Sequence, residues 1–239
     1  MAANLIPKKT HTSWAAFLND YRHEQLSQIA GEIGSSYDPA PEKVLRFLTT
    51  DLNKMQVVIL GQDPYPQPGV ATGRAFEVNE LTSWADKFPQ ASLRNIVRLL
   101  YSTYQEIEDY EEIPKFQQIR EAIAREEWQI LPPHQLFAAW EQQGVLLLNT
   151  CLTVNGKPGE HAAIWLDFTR DLLQFISNER TDLNWFLWGK QAQAFMPFID
   201  YGIIYCSRHP MLSSPRYEDD FLRSECFSST KEQVNWLGV

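Results

Sequence analysis

The stretch that most constrains the fold is Val57-Val-Ile-Leu-Gly61, which runs directly into Gln62-Asp-Pro-Tyr-Pro66. A short apolar run rich in β-branched residues predicts a buried strand, and the glycine and the two prolines prevent its continuation. Gln62 and Asp63 are therefore expected at the carboxyl end of a strand, where open α/β sheets bind their ligands. A carboxylate held rigidly there suits general-base or electrostatic work, although a turn-capping Asp would give the same local pattern.

Three later apolar runs also end in polar or glycine-containing segments. They are Val145–Asn149, Asn184–Trp188 before Gly189, and Ile203–Cys206 before Ser207-Arg-His209. Strands that alternate with helical stretches predict an α/β fold, with a central four-stranded parallel sheet and helices on both faces. Because the carboxyl ends of parallel strands share one edge, we expect Asp63, Asn149 and His209 to converge there.

Amphipathic spacing predicts the helices between these strands. They are expected from Ser13 to about Ile33, from Pro41 to Leu52, from a cap at Ser92 through Tyr104, in two pieces between 115 and 143, from Ile164 to Asn178, and from Ser229 to Trp236. The sequence has no internal repeat and no linker-like segment, so we expect one domain over residues 1–239.

Composition narrows the class of protein. The 239 residues are 44% hydrophobic, enough for a substantial core, yet no apolar run approaches the ~20 residues of a membrane span. The amino terminus lacks the apolar core of a secretory signal, so we expect a cytoplasmic protein without membrane contact. Cys151, Cys206 and Cys226 have neither disulfide-like nor metal-ligand spacing, so we expect reduced thiols and no metal site. The net charge of −9 argues against a large basic face, but a local basic patch remains compatible with it.

The chemical groups expected at the shared edge fit one type of ligand. An amide such as Asn149 can bind the Watson–Crick edge of a pyrimidine, and an aromatic ring such as Phe76 or Tyr65 can stack on its face. The segments Gly61-Gln-Asp-Pro-Tyr-Pro66, Leu146-Leu-Leu-Asn149, Leu187-Trp-Gly189 and His209-Pro210 resemble, in the same order, the signature segments of uracil-DNA glycosylases of the common bacterial and vertebrate type. The resemblance covers roughly residues 40–235.

The resemblance implies a role for each matching residue. Asp63 would orient the attacking water and stabilise the oxocarbenium-like sugar, and His209 would donate, as a neutral imidazole, to uracil O2. Asn149 would bind uracil O4 and N3, Phe76 would stack on the base, and Tyr65 would exclude the methyl group of thymine. Gln62 would contribute its backbone N–H. Each residue also has a structural alternative, such as a turn cap, a loop histidine or ordinary core packing for Phe76.

The sequence departs from the family pattern in the segments that would hold DNA. The family continues His-Pro-Ser-Pro-Leu-Ser, and Ser213 stands here at the position of the leucine that wedges into the base stack. Leu212 or Met211 could replace that wedge, because insertion needs bulk more than identity. The loop is about two residues longer, and we expect its acidic run Glu218-Asp-Asp220 to face DNA phosphates. The remaining DNA contacts are expected from Ser92, Gly189, Lys190, Arg208, Ser214, Arg216 and Arg223.

The resemblance predicts a monofunctional glycosylase that extrudes deoxyuridine from single- or double-stranded DNA and hydrolyses its N-glycosidic bond without a cofactor. We expect a monomer, with a proteinaceous uracil-glycosylase inhibitor as a further partner. If the acidic loop weakens duplex binding, single-stranded DNA would be the preferred substrate. Two alternatives remain open: a glycosylase with changed base choice, and a catalytically silent module that binds nucleic acid or protein.

Overall fold

The computed structural model describes residues 4–239, and its centre is a sheet of four parallel strands. The strands are β1 (Val57–Gly61), β2 (Val145–Asn149), β3 (Asn184–Trp188) and β4 (Ile203–Ser207), in the order β2-β1-β3-β4. Their register pairs Gly61 with Asn149 and Leu60 with Leu187. The predicted four-stranded parallel sheet is therefore confirmed.

In the described part of the chain, seven α-helices accompany the sheet: α1 (Asp20–Glu32), α2 (Pro41–Val44), α3 (Ala91–Tyr104), α4 (Phe116–Ala124), α5 (Pro133–Gln142), α6 (Ala162–Glu179) and α7 (Lys190–Gln193). The same residues contain short 3-10 helices at 12–14, 46–49, 52–54, 110–112, 196–198, 221–223 and 228–230. No helix in residues 4–239 is long and apolar enough to cross a membrane.

The core has two layers because successive strand residues face opposite sides of the sheet. Val58 and Leu60 pack with α1 and α6 in one layer, whereas Val57 and Ile59 pack with α3, α4 and α5 in the other. Residues of β1, β2 and β3 are buried throughout, as expected for a sheet covered on both faces. Helices flank both faces, as the sequence predicts.

The order of the strands places a crevice between β1 and β3. The chain leaves β1 toward β2 through helices of one layer, and it leaves β3 toward β4 through α7 in the other layer. Such a reversal of direction opens a crevice at the carboxyl ends of the two strands, where open α/β sheets bind ligands. Gln62 and Asp63 follow one of these strands, and Gly189 follows the other.

Three predicted helices differ from the structure. The first begins at Asp20 instead of Ser13, because the side chain of Asn19 accepts the backbone N–H of Arg22 and caps the helix there. Pro41 to Leu52 forms two short pieces instead of one helix. Ser229 to Trp236 is mostly turns, because Val234 and Trp236 are both fully buried and residues two apart cannot share one face of a helix.

One smaller expectation also needs correction. Ser92 lies within the first turn of α3, whose N-cap is Gln90. The strand β4 is an edge strand and is less buried than the other three strands. An apolar run cannot by itself distinguish a central strand from an edge strand.

The contrast between central and edge strands gives a stability test. Ile59 in β1 is completely buried and Ile203 in β4 is 59% exposed. We expect Ile59→Ala to lower the free energy of unfolding by about 2–5 kcal/mol through lost burial and a residual cavity. The matched Ile203→Ala should lower it by less than about 1 kcal/mol. Urea denaturation of both variants measures the difference, and equal losses would contradict the assigned positions of the two strands.

Candidate active site

The site begins with the close approach of β1 and β2 at their carboxyl ends. Asn149 is paired with Gly61, and a Cβ at Gly61 would collide with the Oδ1 of Asn149. The missing side chain of Gly61 thus leaves room for the buried Asn149 amide beside the end of β1. Within residues 4–239 the Asn149 side chain has no hydrogen-bond partner, so both its donor and its acceptor are available to a ligand.

Backbone hydrogen bonds fix the turn that carries Asp63. The carbonyl of Gln62 accepts the backbone N–H of Cys151 at 2.9 Å and the hydroxyl of Thr150 at 3.0 Å. The Oδ1 of Asp63 accepts the backbone N–H of Gly159 at 3.0 Å. Segments that follow β1 and β2 are thereby joined, and the carboxylate of Asp63 is oriented from a loop 96 residues further along the chain.

Burial changes the acid–base properties of this turn. Desolvation raises the pKa of Asp63, and the hydrogen bond from Gly159 opposes this effect only in part. Burial, together with the nearby charge of Asp63, raises the pKa of Cys151 to about 12. Cys151 therefore stays a neutral thiol at neutral pH and adds no second negative charge next to the carboxylate.

The ring of His209 is oriented by its own turn. Its Nδ1 accepts the backbone N–H of Met211 at 3.1 Å, so the neutral ring must carry its proton on Nε2. Burial lowers the pKa of His209, which favours this neutral form. Gly189 has φ +91°, and a Cβ there would lie 2.9 Å from the Cβ of His209, so the loops after β3 and β4 meet closely only because Gly189 lacks a side chain.

Phe76 forms an aromatic wall next to His209. Its ring centroid lies 5.3 Å from that of Trp188 and 6.1 Å from that of His209. The Tyr65 hydroxyl donates to the carbonyl of Phe76 at 3.4 Å, and burial raises the pKa of this tyrosine. Phe76 has φ +65°, a conformation that is strained for an aromatic residue and needs support from its neighbours.

An ion-pair cluster supplies that support, and no pattern in the sequence indicates it. Arg74 donates to both oxygens of Glu141 on α5 and to both oxygens of Glu77, at distances of 2.6 to 3.1 Å. Arg46 contacts Glu141 at 3.4 Å. Burial alone would raise the pKa of Glu141, but the hydrogen bonds and charges of Arg74 and Arg46 lower it overall. The segment that carries Phe76 is thus held on both sides of the strained residue.

The predicted DNA-contacting residues differ in exposure. Met211 and Leu212 are 56% and 61% exposed at the tip of the His209 loop, whereas the hydroxyl of Ser213 is buried. Lys190 and Arg216 are exposed, and Ser92 is almost completely buried. The structure therefore favours Met211 and Leu212 over Ser213 as the apolar tip.

The expectation that the acidic run faces phosphates is wrong for Asp220. Asp220 is buried and accepts the backbone N–H groups of Ser214 and Leu222 and the hydroxyl of Tyr110. Asp219 pairs with Arg208 at 2.7 Å, so Arg208 is also less available to DNA than expected. Loop carboxylates often accept nearby backbone N–H groups in this way.

His161 has a structural role inside the fold. Its Nδ1 lies 2.9 Å from the Oγ1 of Thr153, which also accepts the indole N–H of Trp165. No group of three or more His, Cys, Asp or Glu residues in the described part of the chain is arranged to hold a metal ion.

The arrangement can hydrolyse a bond to a planar leaving group. It offers a carboxylate for water or a cationic centre, a neutral imidazole N–H for a developing anion, an open amide and an aromatic wall.

A model of the uracil DNA glycosylase superfamily matches residues 49–230, which is most of the chain. The chain belongs to the uracil-DNA glycosylase superfamily.

Similar proteins agree with this assignment. Uracil-DNA glycosylase from Salmonella arizonae is 34% identical over 216 residues, covering 86% of this chain and 80% of that protein. The uracil-DNA glycosylase from Sodalis glossinidius is 34% identical over 200 residues, covering 82% and 74% of the two chains. The crystal structure of mimivirus uracil-DNA glycosylase is 26% identical, with a TM-score of 0.61, and covers 88% of this chain and 70% of that one. The UNG of Nitratifractor salsuginis shares the fold, with a TM-score of 0.68 at 20% identity over 94% and 91% of the two chains.

A buried and an exposed arginine–glutamate pair test how much the ion-pair cluster around Arg74 contributes to the stability of the protein. The Arg74 side chain is 10% exposed, whereas Arg125 and Glu127 form a pair in which both side chains are more than half exposed. We expect Arg74→Ala to lower the free energy of unfolding by about 3–5 kcal/mol, because Glu77 and Glu141 lose their shared counter-charge.

The matched Arg125→Ala should lower it by about 0–1 kcal/mol. Chemical denaturation measures both values. A loss for Arg74→Ala no larger than that for Arg125→Ala would contradict a supporting role for the cluster.

Proposed function

We propose that this protein is a monofunctional DNA glycosylase that extrudes deoxyuridine from DNA and hydrolyses its N-glycosidic bond. The products are free uracil and an abasic site, and this reaction is the first step of base excision repair. The convergence of Asp63, Asn149 and His209 at one sheet edge, in a chain of this family, is the observation that carries the proposal.

Asp63 acts on the sugar side of the bond. As a carboxylate it orients the attacking water and stabilises the positive charge that develops on the deoxyribose as the bond to the base breaks. The hydrogen bond from Gly159 fixes one oxygen, which leaves the other oxygen free to accept a proton from water. Electrostatic stabilisation at a partly buried site is stronger than in bulk water, so the raised pKa of Asp63 is compatible with this role.

His209 acts on the base side of the bond. The departing uracil leaves with negative charge spread over its ring, including O2, and a neutral N–H donor at O2 stabilises that charge. The hydrogen bond between Met211 and Nδ1 presents Nε2–H as this donor. Burial, which lowers the pKa of His209, keeps the donor neutral in the free enzyme.

Uracil is selected by groups around the pocket. The unengaged amide of Asn149 hydrogen-bonds to O4 and N3, which distinguishes uracil from cytosine. Phe76 stacks on the base, Tyr65 blocks the position of the thymine methyl group, and the backbone N–H of Gln62 completes the contacts. The hydrogen bond from Tyr65 to the carbonyl of Phe76 holds the two rings in a fixed relation.

The DNA backbone is held around this pocket. Met211 and Leu212 insert into the base stack vacated by the flipped nucleotide, whereas the hydroxyl of Ser213 is buried. The phosphate contacts come from Gly189, Lys190, Ser214, Arg216 and Arg223, with Ser92 contributing through the first turn of α3. Because Asp220 is buried and Asp219 pairs with Arg208, single-stranded DNA is favoured less strongly than the sequence indicates.

The proposal also covers an inhibitor, the oligomeric state, the location and the cofactor requirement. A variant of the mimivirus protein has been solved in complex with UGI, and we propose that an inhibitor of this kind also binds the present chain. We propose a monomer that acts in the cytoplasm and needs neither a metal ion nor an organic cofactor.

Two other functions are weighed against the proposal. A glycosylase with a changed base choice would need a different side chain next to C5 of the base. The presence of Tyr65 argues against this function. A silent binding module would have no need for an oriented imidazole or a fixed carboxylate, and both are present. A protein that binds DNA but releases no base from a panel of uracil and modified-base oligonucleotides would support the silent module.

Replacement of the carboxylate tests the reaction most simply. Asp63→Asn should lower kcat for uracil release by about 10²–10⁴-fold, because the amide can neither accept a proton nor stabilise a cation, while DNA affinity stays nearly unchanged. Asp182→Asn, an exposed carboxylate at the start of β3, is the matched control and should retain full activity. Release of uracil from a labelled oligonucleotide measures both, and unchanged turnover in Asp63→Asn would refute the mechanism.

The pH profile provides a second test. Asp63 acts as an anion with a pKa raised above its ordinary 3.8, and His209 acts as a neutral ring with a pKa lowered below its ordinary 6.5. Both active forms are lost when they bind a proton. We therefore expect kcat/KM to fall as the pH decreases from 6.5 towards 3.8. A pH series on a uracil oligonucleotide at fixed salt measures this, and kcat/KM that increases toward pH 5 would contradict the assigned protonation states.

A further inference from the structure

An open groove of about 290 Å³ lies beside the proposed active site, between the segment before α3 and the helix α4. Its walls carry three cations, Lys87, Arg94 and Arg120, and two aromatic rings, Phe88 and Phe116. The two rings pack edge to face with their centroids 5.4 Å apart. A groove that combines positive charge with aromatic surface is typical of sites that bind a single nucleic-acid strand.

The cations of this groove are not engaged with carboxylates. Within residues 4–239, none of the three has an acidic partner within 4.0 Å, whereas Arg22, Arg46, Arg74 and Arg208 all form ion pairs. Arg94 donates to the carbonyl of Phe88 at 2.8 Å, which orients the guanidinium and leaves most of its N–H groups free.

The one carboxylate among the groove-lining residues, Asp86, forms no ion pair with the three cations within the described chain. Asp86 accepts the backbone N–H of Ser83 at 3.0 Å and the hydroxyl of Thr82 at 3.5 Å, as part of a turn. The groove therefore has a net positive charge in a protein whose overall net charge is −9. Such a local charge attracts phosphates in spite of the overall negative charge.

The groove adjoins the proposed active site through the first turns of α3. Asn95, the neighbour of Arg94, donates to the carbonyl of Pro210 at 2.6 Å and so ties α3 to the His209 loop. Ser92, one of the expected DNA contacts, lies five residues after Lys87 and two residues before Arg94 in the sequence. A DNA strand held at Ser92 therefore has both cations close by.

We propose that this groove is a binding site for the DNA strand that flanks the flipped nucleotide. Lys87, Arg94 and Arg120 contact its phosphates, and Phe88 and Phe116 provide an apolar floor for a sugar or base. The proposal rests on the proposed glycosylase function for the course of the strand. It explains how an acidic protein holds a polyanion without a broad basic face.

The test compares two double variants with the same change in charge. The groove variant carries Lys87→Ser and Arg120→Ser, because neither side chain has a structural role comparable to that of Arg94. The control variant carries Lys54→Ser and Lys231→Ser, which are exposed residues with no salt-bridge partner in the described chain. Lys54 precedes β1 and therefore lies at the sheet edge opposite Asp63. Thermal unfolding of both variants verifies that each is folded.

Fluorescence anisotropy with a labelled thymidine 20-mer, which contains no uracil, measures affinity at several salt concentrations. In the groove variant we expect Kd to rise by about tenfold, and the slope of log Kd against log salt to decrease by about 1.4, or ~0.7 for each lost phosphate contact. The control variant should match the wild type. Equal behaviour of the two variants, whether both lose affinity or neither does, would overturn the proposal.

This binding experiment is independent of catalysis. If only the groove variant loses affinity and salt dependence while the wild-type protein releases no uracil, the glycosylase function is refuted and the groove remains a DNA-binding site. Uracil release together with identical salt slopes in the two variants would refute the groove and leave the glycosylase function standing.

Discussion

The close approach of Gly61 and Asn149 is the contact on which the candidate site depends. Parallel register brings the ends of β1 and β2 side by side, and only a residue without a side chain at Gly61 leaves room for the amide. Gly189 has a similar effect at the ends of β3 and β4, where it allows the loop of His209 to approach. Two glycines thus allow close approaches at the carboxyl edge of the sheet, one between the ends of β1 and β2 and one between the ends of β3 and β4.

Rigidity of the site comes from supports outside it. Phe76 occupies a strained conformation, and the ion pairs of Arg74 with Glu77 and Glu141 hold the chain around it. Asp220 plays a corresponding part in the His209 loop, where it accepts two backbone N–H groups and a tyrosine hydroxyl. Groups that hold a planar base in one orientation must themselves be immobile, so these supports are part of the function.

The sequence predicted the sheet and the meeting of its strand ends, because both depend on local patterns. Apolar runs that end at glycine or polar residues mark strand ends, and parallel strands bring those ends together. The cluster of Arg74 and Glu141 could not be predicted, because its members are 67 residues apart and follow no periodic pattern. The carboxylate of Asp220 was wrongly assigned to the DNA face, because composition does not reveal which charges are used as internal acceptors. The end of the chain was wrongly predicted as helical, because the alternating burial of Val234 and Trp236 depends on packing.

The central claim is that His209 is presented to the departing base as a neutral ring with its proton on Nε2. Nitrogen NMR of the histidine-labelled protein at pH 7, with and without uracil and abasic DNA, measures this directly. We expect a neutral His209 ring with and without these ligands. Its proton is on Nε2, and its Nδ1 accepts the backbone N–H of Met211. A positively charged ring, or a neutral ring protonated on Nδ1, would contradict it.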